Sequence, residues 1–327
     1  MHPSESFRVF VDLALTPESL ARLRAGTVGH ELVFPAKPVA SVLAQAEPDP
    51  RFAEVEVAFG QPALDAIRGA PNLRWIQISS SGITRYDTPQ FRNWLKERGI
   101  QLTNSARVYA DACADHALSF LLGQSRNLPR SLALRTANGS EAWHELRGSC
   151  VPLRGQRLLI LGFGTIGRRL VELLRPYEME VRAYRRQPRG DEGIPTVDSL
   201  QLRSALGLAD HVVNILPDSA ETRQFCNGAV FAAMKPRATF YNIGRGTTVD
   251  QEALASALKS GQVGAAWLDV TDPEPLPESH PLWQEPNCFI TPHVAGGHHD
   301  EQGTLLGHFL GNFQRFVRGE PLLDRVV

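Results

Sequence analysis

Residues 158–167 read Leu-Leu-Ile-Leu-Gly-Phe-Gly-Thr-Ile-Gly, so four apolar residues lead directly into a Gly-x-Gly-x-x-Gly pattern. A short continuous apolar run is typical of a buried parallel strand, and the apolar spacing over residues 170–174 predicts a helix after the glycines. Gly162 allows a tight turn, Gly164 a close approach of the backbone to a pyrophosphate, and Gly167 close packing of the helix on the sheet. Because free N–H groups and the helix dipole favour an anion there, the stretch predicts a dinucleotide site. The residues expected to form it are Gly162, Gly164, Thr165, Ile166 and Gly167.

The composition agrees with a soluble two-domain enzyme. A length of 327 residues predicts about two domains, and 43% hydrophobic residues are enough for packed cores. The net charge of -1 argues against a nucleic-acid partner. No apolar run reaches the roughly 18 residues that a membrane helix needs, and the polar N-terminus does not resemble a signal peptide. The four cysteines have no Cys-x-x-Cys spacing, so reduced thiols in a cytoplasmic protein are expected.

Strand patterns alternate with helical patterns along the chain, which predicts an α/β fold. Strands of a first series are expected at Phe7–Leu13, Glu54–Phe59, Leu73–Ile78 and residues 99–102. Strands of a second series are expected near residues 157–162, 180–184, 211–216, 238–242, 263–268 and 288–290. Each series predicts a doubly wound parallel sheet, with a Rossmann dinucleotide-binding domain inserted in a flavodoxin-like substrate domain. The expected bounds are residues 1–105 for the substrate domain, 106–297 for the dinucleotide-binding domain and 298–327 for a C-terminal helix that returns to the substrate domain.

The second series carries further cofactor signals at the ends of its strands. A strand ending at Leu216-Pro217 places the loop 217–222, including Thr222, beside the cofactor, because ligands of doubly wound sheets lie off the carboxyl ends of strands. After the second strand of this series, near residues 180–184, the chain has Arg185 and Arg186. An acid at that position would bind a ribose 2′-hydroxyl. Arginines there accommodate a 2′-phosphate, which favours NADPH, with NADH as the alternative cofactor. A solvated basic loop is the other interpretation of these arginines.

Three chemically active side chains follow three later strands. Arg245 lies between two glycines, Glu274 between two prolines, and His293 next to a proline. Since the carboxyl ends of parallel strands share one edge, all three are expected on the side of the glycine-rich loop. A guanidinium can clamp a 2-keto acid and polarise its carbonyl, and a histidine can transfer a proton when a carboxylate favours its charged form. Each residue alone is typical of a surface or loop position, so the prediction of a catalytic set rests on their joint placement.

Over nearly its whole length the chain resembles the D-2-hydroxyacid dehydrogenase family. The matching blocks are Leu161–Gly167, Asn242–Gly246, Leu268–Pro277, residues 280–283 and Thr291–Gly296. Within the family, the block that ends at Pro277 and the paired arginines are most similar to the glyoxylate/hydroxypyruvate reductase branch. The resemblance implies an NAD(P)-dependent oxidoreductase that reduces a small 2-keto acid to the D-2-hydroxy acid.

The resemblance also implies roles for individual residues. Arg245 is expected to bind the substrate carboxylate and carbonyl, His293 to donate the proton during reduction, and Glu274 to act as its partner. The backbone N–H groups of Ser81 and Gly82 are expected to hold the substrate carboxylate, since they bind an anion without an added charge. Further cofactor contacts are expected from Leu216, Pro217, Thr222, Ile243, Gly244, Asp269, His293 and Gly296, with Asp269 on the nicotinamide carboxamide side.

The sequence departs from the family pattern at several positions. Residues 79–84 read Ser-Ser-Ser-Gly-Ile-Thr where Gly-Ala-Gly-Val-Asp is frequent, and Trp267 stands where a small residue is common. His298 and His299 follow the histidine block, but no carboxylate or third histidine has ligand spacing to them. A polar helix start is therefore favoured there, and no metal site is predicted.

Two other functions share the scaffold. Formate dehydrogenases carry a glutamine where this chain has Glu274. A nucleotide-sensing interaction protein, as some transcriptional corepressors are, is an alternative from another functional class, because fold alone does not define function. The absence of long disordered tails argues against it.

A homodimer is expected from the resemblance and from residues 129–154. This segment is predicted to be irregular and to carry Leu132, Leu134, Trp143 and Leu146 on an exposed arm. Large apolar groups held away from a domain usually mark an interface. A loop folded back on its own domain is the alternative.

Overall fold

The computed structural model describes residues 5–39, 47–134 and 138–327. The chain divides into two compact units, one that runs to Tyr109 and resumes at His298, and one that spans Ala110–Gly297. The sequence placed the first division earlier, after residue 105. The difference arises because the intervening residues are still tied to the first unit: the Tyr109 hydroxyl donates a hydrogen bond of 2.9 Å to the Ser79 carbonyl.

The first unit contains a five-stranded sheet in which every pairing is parallel. Its order, β2-β1-β3-β4-β5, is that of flavodoxin-like folds. The strands are β1 (Arg8–Val11), β2 (Glu31–Val33), β3 (Val57–Gly60), β4 (Trp75–Ile78) and β5 (Gln101–Thr103). The helices between them are α1 (Pro17–Gly26), α2 (Leu64–Arg68) and α3 (Pro89–Glu97). Thr16 and Thr88 cap α1 and α3 through their side chains, each followed by a proline at the first helical position.

The second unit contains a seven-stranded parallel sheet in the order β12-β11-β10-β9-β6-β7-β8. The strands are β6 (Arg157–Leu161), β7 (Glu180–Tyr184), β8 (Thr196–Val197), β9 (His211–Asn214), β10 (Ala238–Asn242), β11 (Val263–Leu268) and β12 (Cys288–Ile290). The chain winds outward from β6 to β8 and then crosses to β9 on the other side of β6. This reversal is the switch point of a Rossmann sheet, where ligands bind outside the carboxyl ends of the strands.

Helices cover this second sheet, and two of them correct the sequence-based interpretation. They are α4 (Ala110–Ser125), α5 (Leu128–Leu134), α6 (Glu141–Ser149), α7 (Thr165–Leu174), α8 (Leu202–Leu208), α9 (Gly228–Ala233) and α10 (Gln251–Lys259). The prediction of an irregular segment over residues 129–154 is wrong for α5 and α6, while residues 135–137 lie outside the described residues. The Ser140 hydroxyl accepts a hydrogen bond from the Trp143 N–H, a cap that the sequence reading overlooked. Leu146 is buried, so it is not part of an exposed arm.

The last helix, α11 (Glu301–Val317), belongs to the first unit, as the sequence predicts for the C-terminal segment. Its Phe309 is fully buried and stacks on Phe59 with ring centres 4.3 Å apart and on Trp75 at 5.4 Å. The first unit is therefore assembled from both ends of the chain. Together the two sheets confirm the predicted fold class, an α/β protein with two doubly wound parallel sheets. In the described part of the chain no helix is long and apolar enough to cross a membrane.

The unusual Trp267 is accommodated by two residues of a neighbouring helix. Its side chain is 8% exposed and lies against α4, where a Cβ at Gly123 would stand 3.0 Å from the indole ring. The indole N–H donates a hydrogen bond of 2.8 Å to the Gln124 side chain. A glycine that leaves room for the ring and a polar partner for its N–H thus occur together, which satisfies both the packing and the hydrogen-bonding needs of a buried tryptophan.

Asp12, at the end of β1, is fully buried. Its Oδ2 accepts a hydrogen bond of 2.8 Å from the Gln61 N–H, whereas Oδ1 has no hydrogen-bond partner among the described residues. Gly60 makes room for it, because a Cβ there would stand 1.6 Å from Oδ1. Burial raises the pKa of the Asp12 carboxyl to about 7, against the opposing effects of the Gln61 hydrogen bond and the Arg85 charge.

This carboxyl makes the stability of the protein depend on pH. The folded protein keeps the Asp12 proton over a range in which the unfolded chain has lost it, so the free energy of unfolding should fall as the pH rises from about 4 to about 7. Asp12→Asn should remove that loss and gain up to roughly 4 kcal/mol over the parent above pH ~7. Urea unfolding at about pH 5 and about pH 8 measures the effect. An equal stability difference at both pH values would contradict it.

Candidate active site

The glycine-rich loop after β6 combines two close contacts with one open position. Gly162 has φ +86°, and a Cβ there would stand 3.1 Å from the Ile215 carbonyl oxygen. Gly164 has no atom within 4 Å of such a Cβ, so the space in front of it is open. A Cβ at Gly167 would press on the Phe163 ring at 3.0 Å. Helix α7 begins directly afterwards with no side-chain cap, which leaves its N–H groups to an anion.

The loop after β7 contains an acid that the sequence reading missed. Arg185 Nη1 lies 3.2 Å from Oε1 of Glu192, whose side chain is 2% exposed. The N–H groups of Arg189 and Gly190 also donate to Glu192, and these hydrogen bonds lower the pKa of the carboxyl against the effect of its burial. Arg185 is thereby held by a buried carboxylate. No short sequence pattern links the two residues, so only the folded loop reveals the pair.

Arg186 is held differently, by an ion pair with Glu221 in the loop after β9. Both side chains are largely exposed, at 62% and 65%. The Thr222 hydroxyl donates a hydrogen bond of 2.6 Å to the Pro217 carbonyl and accepts one of 2.9 Å from the Ser219 N–H. Thr222 therefore shapes the loop that presents Glu221, and its predicted contact with a cofactor stays a prediction, as do those of Leu216 and Pro217.

Arg245 lies between two neighbouring loops, and its flanking glycines allow the three backbone segments to pack closely. A Cβ at Gly244 would stand 2.8 Å from the Leu216 carbonyl oxygen, and one at Gly246 would stand 1.9 Å from the Thr271 carbonyl oxygen. Only glycine fits either position, since both neighbours are backbone. The Arg245 guanidinium is half-buried and donates a hydrogen bond of 2.6 Å to the Gly244 carbonyl.

A buried amide network holds the backbone of Arg245. The Arg245 carbonyl accepts hydrogen bonds from the Asn242 amide at 3.2 Å and from the Thr248 hydroxyl at 2.6 Å. Asn214 donates to both of these partners, at 3.0 Å and 2.7 Å. All three polar side chains are buried and paired, which makes the loop rigid. The sequence signal for this network is an asparagine at the end of each of two adjacent strands, β9 and β10.

Glu274 and His293 meet as the sequence predicts, with Oε2 and Nδ1 2.8 Å apart. The second carboxylate oxygen of Glu274 accepts a hydrogen bond of 3.0 Å from the Thr271 N–H. Burial raises the pKa of Glu274, but the hydrogen bonds from His293 and Thr271 and the nearby charges of His293 and Arg245 outweigh it, so the pKa is lowered. The Glu274 carboxylate is thus charged at neutral pH.

Asp269 ties the loop that carries His293 to the sheet. Its side chain is 1% exposed, and its oxygens accept hydrogen bonds of 2.9 Å from the N–H groups of Val294 and Ala295 and of 2.6 Å from the Thr291 hydroxyl. The His293 N–H donates to the Asp269 carbonyl at 2.9 Å, which stabilises a backbone with φ 52° at His293. Asp269 therefore positions His293, and its contact with a nicotinamide stays a prediction.

Helix α4 brings a second histidine to this cluster, one with no predicted role. His116 Nε2 lies 3.2 Å from the Thr291 hydroxyl and 3.5 Å from Asp269 Oδ1. Burial lowers the pKa of His116, and the Asp269 charge opposes this effect. Among the described residues, no group of three or more histidines, cysteines and acids is placed to hold a metal ion.

The structure gives the positions of the remaining predicted residues but does not test their predicted contacts with a ligand. Ser81 and Gly82 belong to the first unit, where the Ser81 carbonyl accepts a hydrogen bond of 2.8 Å from Asn104 and the Gly82 carbonyl one of 2.6 Å from Ser80. Ile243 is buried after β10, and Gly296 follows the Asp269-bound segment. The predicted contacts of all four residues stay predictions.

Residues 118–295 match the family model described as the NAD binding domain of D-isomer specific 2-hydroxyacid dehydrogenases. Among curated proteins, human glyoxylate reductase/hydroxypyruvate reductase is 33% identical over 253 residues, which cover 77% of this chain and 76% of that protein. A D-isomer specific 2-hydroxyacid dehydrogenase from Xanthobacter autotrophicus, solved with NADPH and MES, has a TM-score of 0.80 at 25% identity. It covers 99% of this chain and 98% of its own.

A second solved relative carries both a cofactor and a small acid. The NADPH-dependent glyoxylate/hydroxypyruvate reductase from Sinorhizobium meliloti, in complex with NADP and malonate, has a TM-score of 0.73 at 26% identity. It covers 99% of this chain and 97% of its own.

The close approach of backbone at Gly246 is open to a direct test. Gly246→Ala should destabilise the protein by about 1–3 kcal/mol or more, because its Cβ meets the Thr271 backbone and must push away the loop that holds Glu274. Gly148→Ala is the matched control, since a Cβ in α6 meets open space and should gain up to about 1 kcal/mol of helix stability. Chemical denaturation of both variants measures the difference. Equal stability of the two would contradict the proposed close packing.

Proposed function

Since the chain belongs to the D-isomer specific 2-hydroxyacid dehydrogenase family, we propose that it reduces a small 2-keto acid of the glyoxylate or hydroxypyruvate type to the D-2-hydroxy acid, with NADPH as preferred cofactor. The observation that carries the proposal is the Glu274–His293 pair of 2.8 Å beside Arg245, at the carboxyl ends of adjacent strands. Relatives named as glyoxylate reductases support the substrate class. No observation favours a corepressor-like function.

Arg245, His293 and Glu274 have different roles in the proposed reduction. A bound reduced nicotinamide supplies the hydride for the carbonyl carbon. Negative charge then develops on the carbonyl oxygen, which the Arg245 guanidinium stabilises while it keeps its own protons. The imidazolium of His293 donates the proton that completes the alcohol, and the Glu274 carboxylate stabilises that imidazolium before transfer. Ser81 and Gly82 are proposed to bind the substrate carboxylate, a role that rests on the family resemblance.

The cofactor proposal rests on the two loops beside the glycine-rich turn. The open space at Gly164 and the uncapped start of α7 fit a pyrophosphate. Arg185 and Arg186 supply cations at the position where a 2′-phosphate would lie, and two solved relatives hold NADP or NADPH. NADH stays the alternative cofactor.

Turnover tests the function directly. Purified protein should oxidise NADPH, followed by its absorbance, when glyoxylate or hydroxypyruvate is added. Larger 2-keto acids serve as the comparison set for substrate class. No oxidation of NADPH or NADH with any of these acids would contradict the proposal.

His293→Ala tests the proton donor. We expect kcat for reduction to fall by about 10²–10⁴-fold with little change in cofactor affinity, because the variant loses the acid and keeps the nucleotide loops. Cofactor titration in the absence of substrate confirms that the variant is folded. A kcat close to that of the parent would remove His293 from the mechanism.

Glu274→Gln tests the pairing through pH. A carboxylate stabilises an imidazolium, and the lowered pKa of Glu274 keeps that carboxylate charged at neutral pH. Removing the charge should therefore move the alkaline limit of the reduction profile to lower pH. The measurement is kcat/KM for the keto acid over about pH 5 to 9. An unchanged profile would show that Glu274 does not set the protonation of its partner.

We also propose a homodimer in the cytoplasm. Helix α5 has no buried residue, and it presents Leu128, Leu132 and Leu134 at 49%, 71% and 37% exposure. Several large apolar side chains exposed on one short helix are typical of an interface. Leu132→Glu should shift the mass in solution from dimer to monomer, while Leu200→Glu, at a position 92% exposed elsewhere in the unit, should not. A monomeric parent at micromolar concentration would contradict the dimer.

The cytoplasmic location is supported by four cysteines that are all free thiols.

A further inference from the structure

The ion pair of Arg186 and Glu221 joins loops from opposite sides of one strand. Strands β7 and β9 are both neighbours of β6 in the sheet, one on each side. Arg186 follows β7, and Glu221 follows β9. Since neighbouring strands are about 4.8 Å apart, the pair spans about 10 Å over the carboxyl end of β6. The glycine-rich loop leaves the sheet at that same strand end, so the pair lies where the adenosine half of a dinucleotide would be held.

The two arginines differ in how firmly they are held. Arg185 faces Glu192, a carboxylate that is 2% exposed and receives two backbone N–H groups. The segment is anchored further by Arg168 at the start of α7, whose Nη1 donates a hydrogen bond of 3.0 Å to the Asp191 carbonyl. Arg185 thus stabilises its own loop through the ion pair with Glu192. Within the described ranges of the chain, the one ion-pair partner of Arg186 is the exposed carboxylate of Glu221.

The energies favour exchange at Arg186. An exposed ion pair contributes little to stability because water screens it, whereas charge-assisted hydrogen bonds to a phosphate are worth roughly twice as much as neutral ones. A 2′-phosphate can therefore replace Glu221 at the guanidinium. A 2′-hydroxyl cannot, because it has no charge, but it can donate a hydrogen bond to a carboxylate beside it.

We propose that Glu221 is a specificity-determining residue, which occupies Arg186 in the free protein, gives up the guanidinium to the 2′-phosphate of NADPH, and accepts a hydrogen bond from the 2′-hydroxyl of NADH. The inference rests on the proposed dinucleotide site and adds to it a named competitor. It also assigns the phosphate contact to Arg186 rather than Arg185. The sequence alone does not point to Glu221, since no acid stands at the usual position after β7.

Binding without substrate tests the inference. Fluorescence titration gives Kd for NADPH and for NADH with the full chain. Glu221→Gln should tighten NADPH by about 2- to 5-fold, the value of an exposed ion pair, and weaken NADH. Arg186→Gln should weaken NADPH by about 10-fold or more and leave NADH nearly unchanged. In the Arg186→Gln background, Glu221→Gln should no longer tighten NADPH, because the pair it releases is already gone.

Glu178→Gln is the matched control. Glu178 also forms an exposed ion pair in the second unit, with Arg154. It lies just before β7, at the amino ends of the strands and away from the glycine-rich loop. Its loss changes the net charge equally but should leave both Kd values unchanged. Equal effects of Glu178→Gln and Glu221→Gln, or an unchanged NADPH/NADH ratio in Glu221→Gln, would overturn the inference while the parent still binds cofactor. Failure of the parent to bind either cofactor would instead overturn the proposed function on which it rests.

Discussion

Close backbone contact between successive loops is the constraint on which the second unit depends. The β6 loop touches the β9 loop at Gly162, the β10 loop touches the β9 loop at Gly244, and the β11 loop touches the β10 loop at Gly246. At each point a Cβ would stand within 3.1 Å of backbone. Hydrogen bonds to Asp269 extend the chain of contacts to the β12 loop. The nucleotide turn and the three candidate catalytic side chains are therefore parts of one continuous surface, in which a shift of one loop moves the others.

Much of this arrangement was predictable because its signals are local. The strand, the three glycines and the helix of the nucleotide motif stand within twenty residues, and the parallel order of the sheet then brings Arg245, Glu274 and His293 to one edge. Family membership and the fold class are confirmed, and the chain is an NAD(P)-dependent oxidoreductase of its family. The meeting of Glu274 with His293 also follows from topology, since β11 and β12 are neighbours.

The side-chain contacts that the sequence did not reveal join residues that only the folded loops bring together. Glu221 is far from Arg186 in sequence, and nothing in either segment points to the other. Trp267 looks like an isolated departure until Gly123 and Gln124 are seen beside it. Helix α5 is hard to predict for a different reason: it has no buried residue, so it lacks the amphipathic pattern that identifies a surface helix.

The position of α11 has a consequence for synthesis on the ribosome. Translation proceeds from the N-terminus at about 5–20 residues per second, and domains generally fold as they emerge. Here the five strands of the first sheet emerge first, but Phe59 and Trp75 lack their stacking partner Phe309 until the second unit has been made in full. The later unit can therefore complete its fold before the earlier one. During that interval the nascent chain presents an aromatic surface that chaperones recognise, until its own last helix covers it.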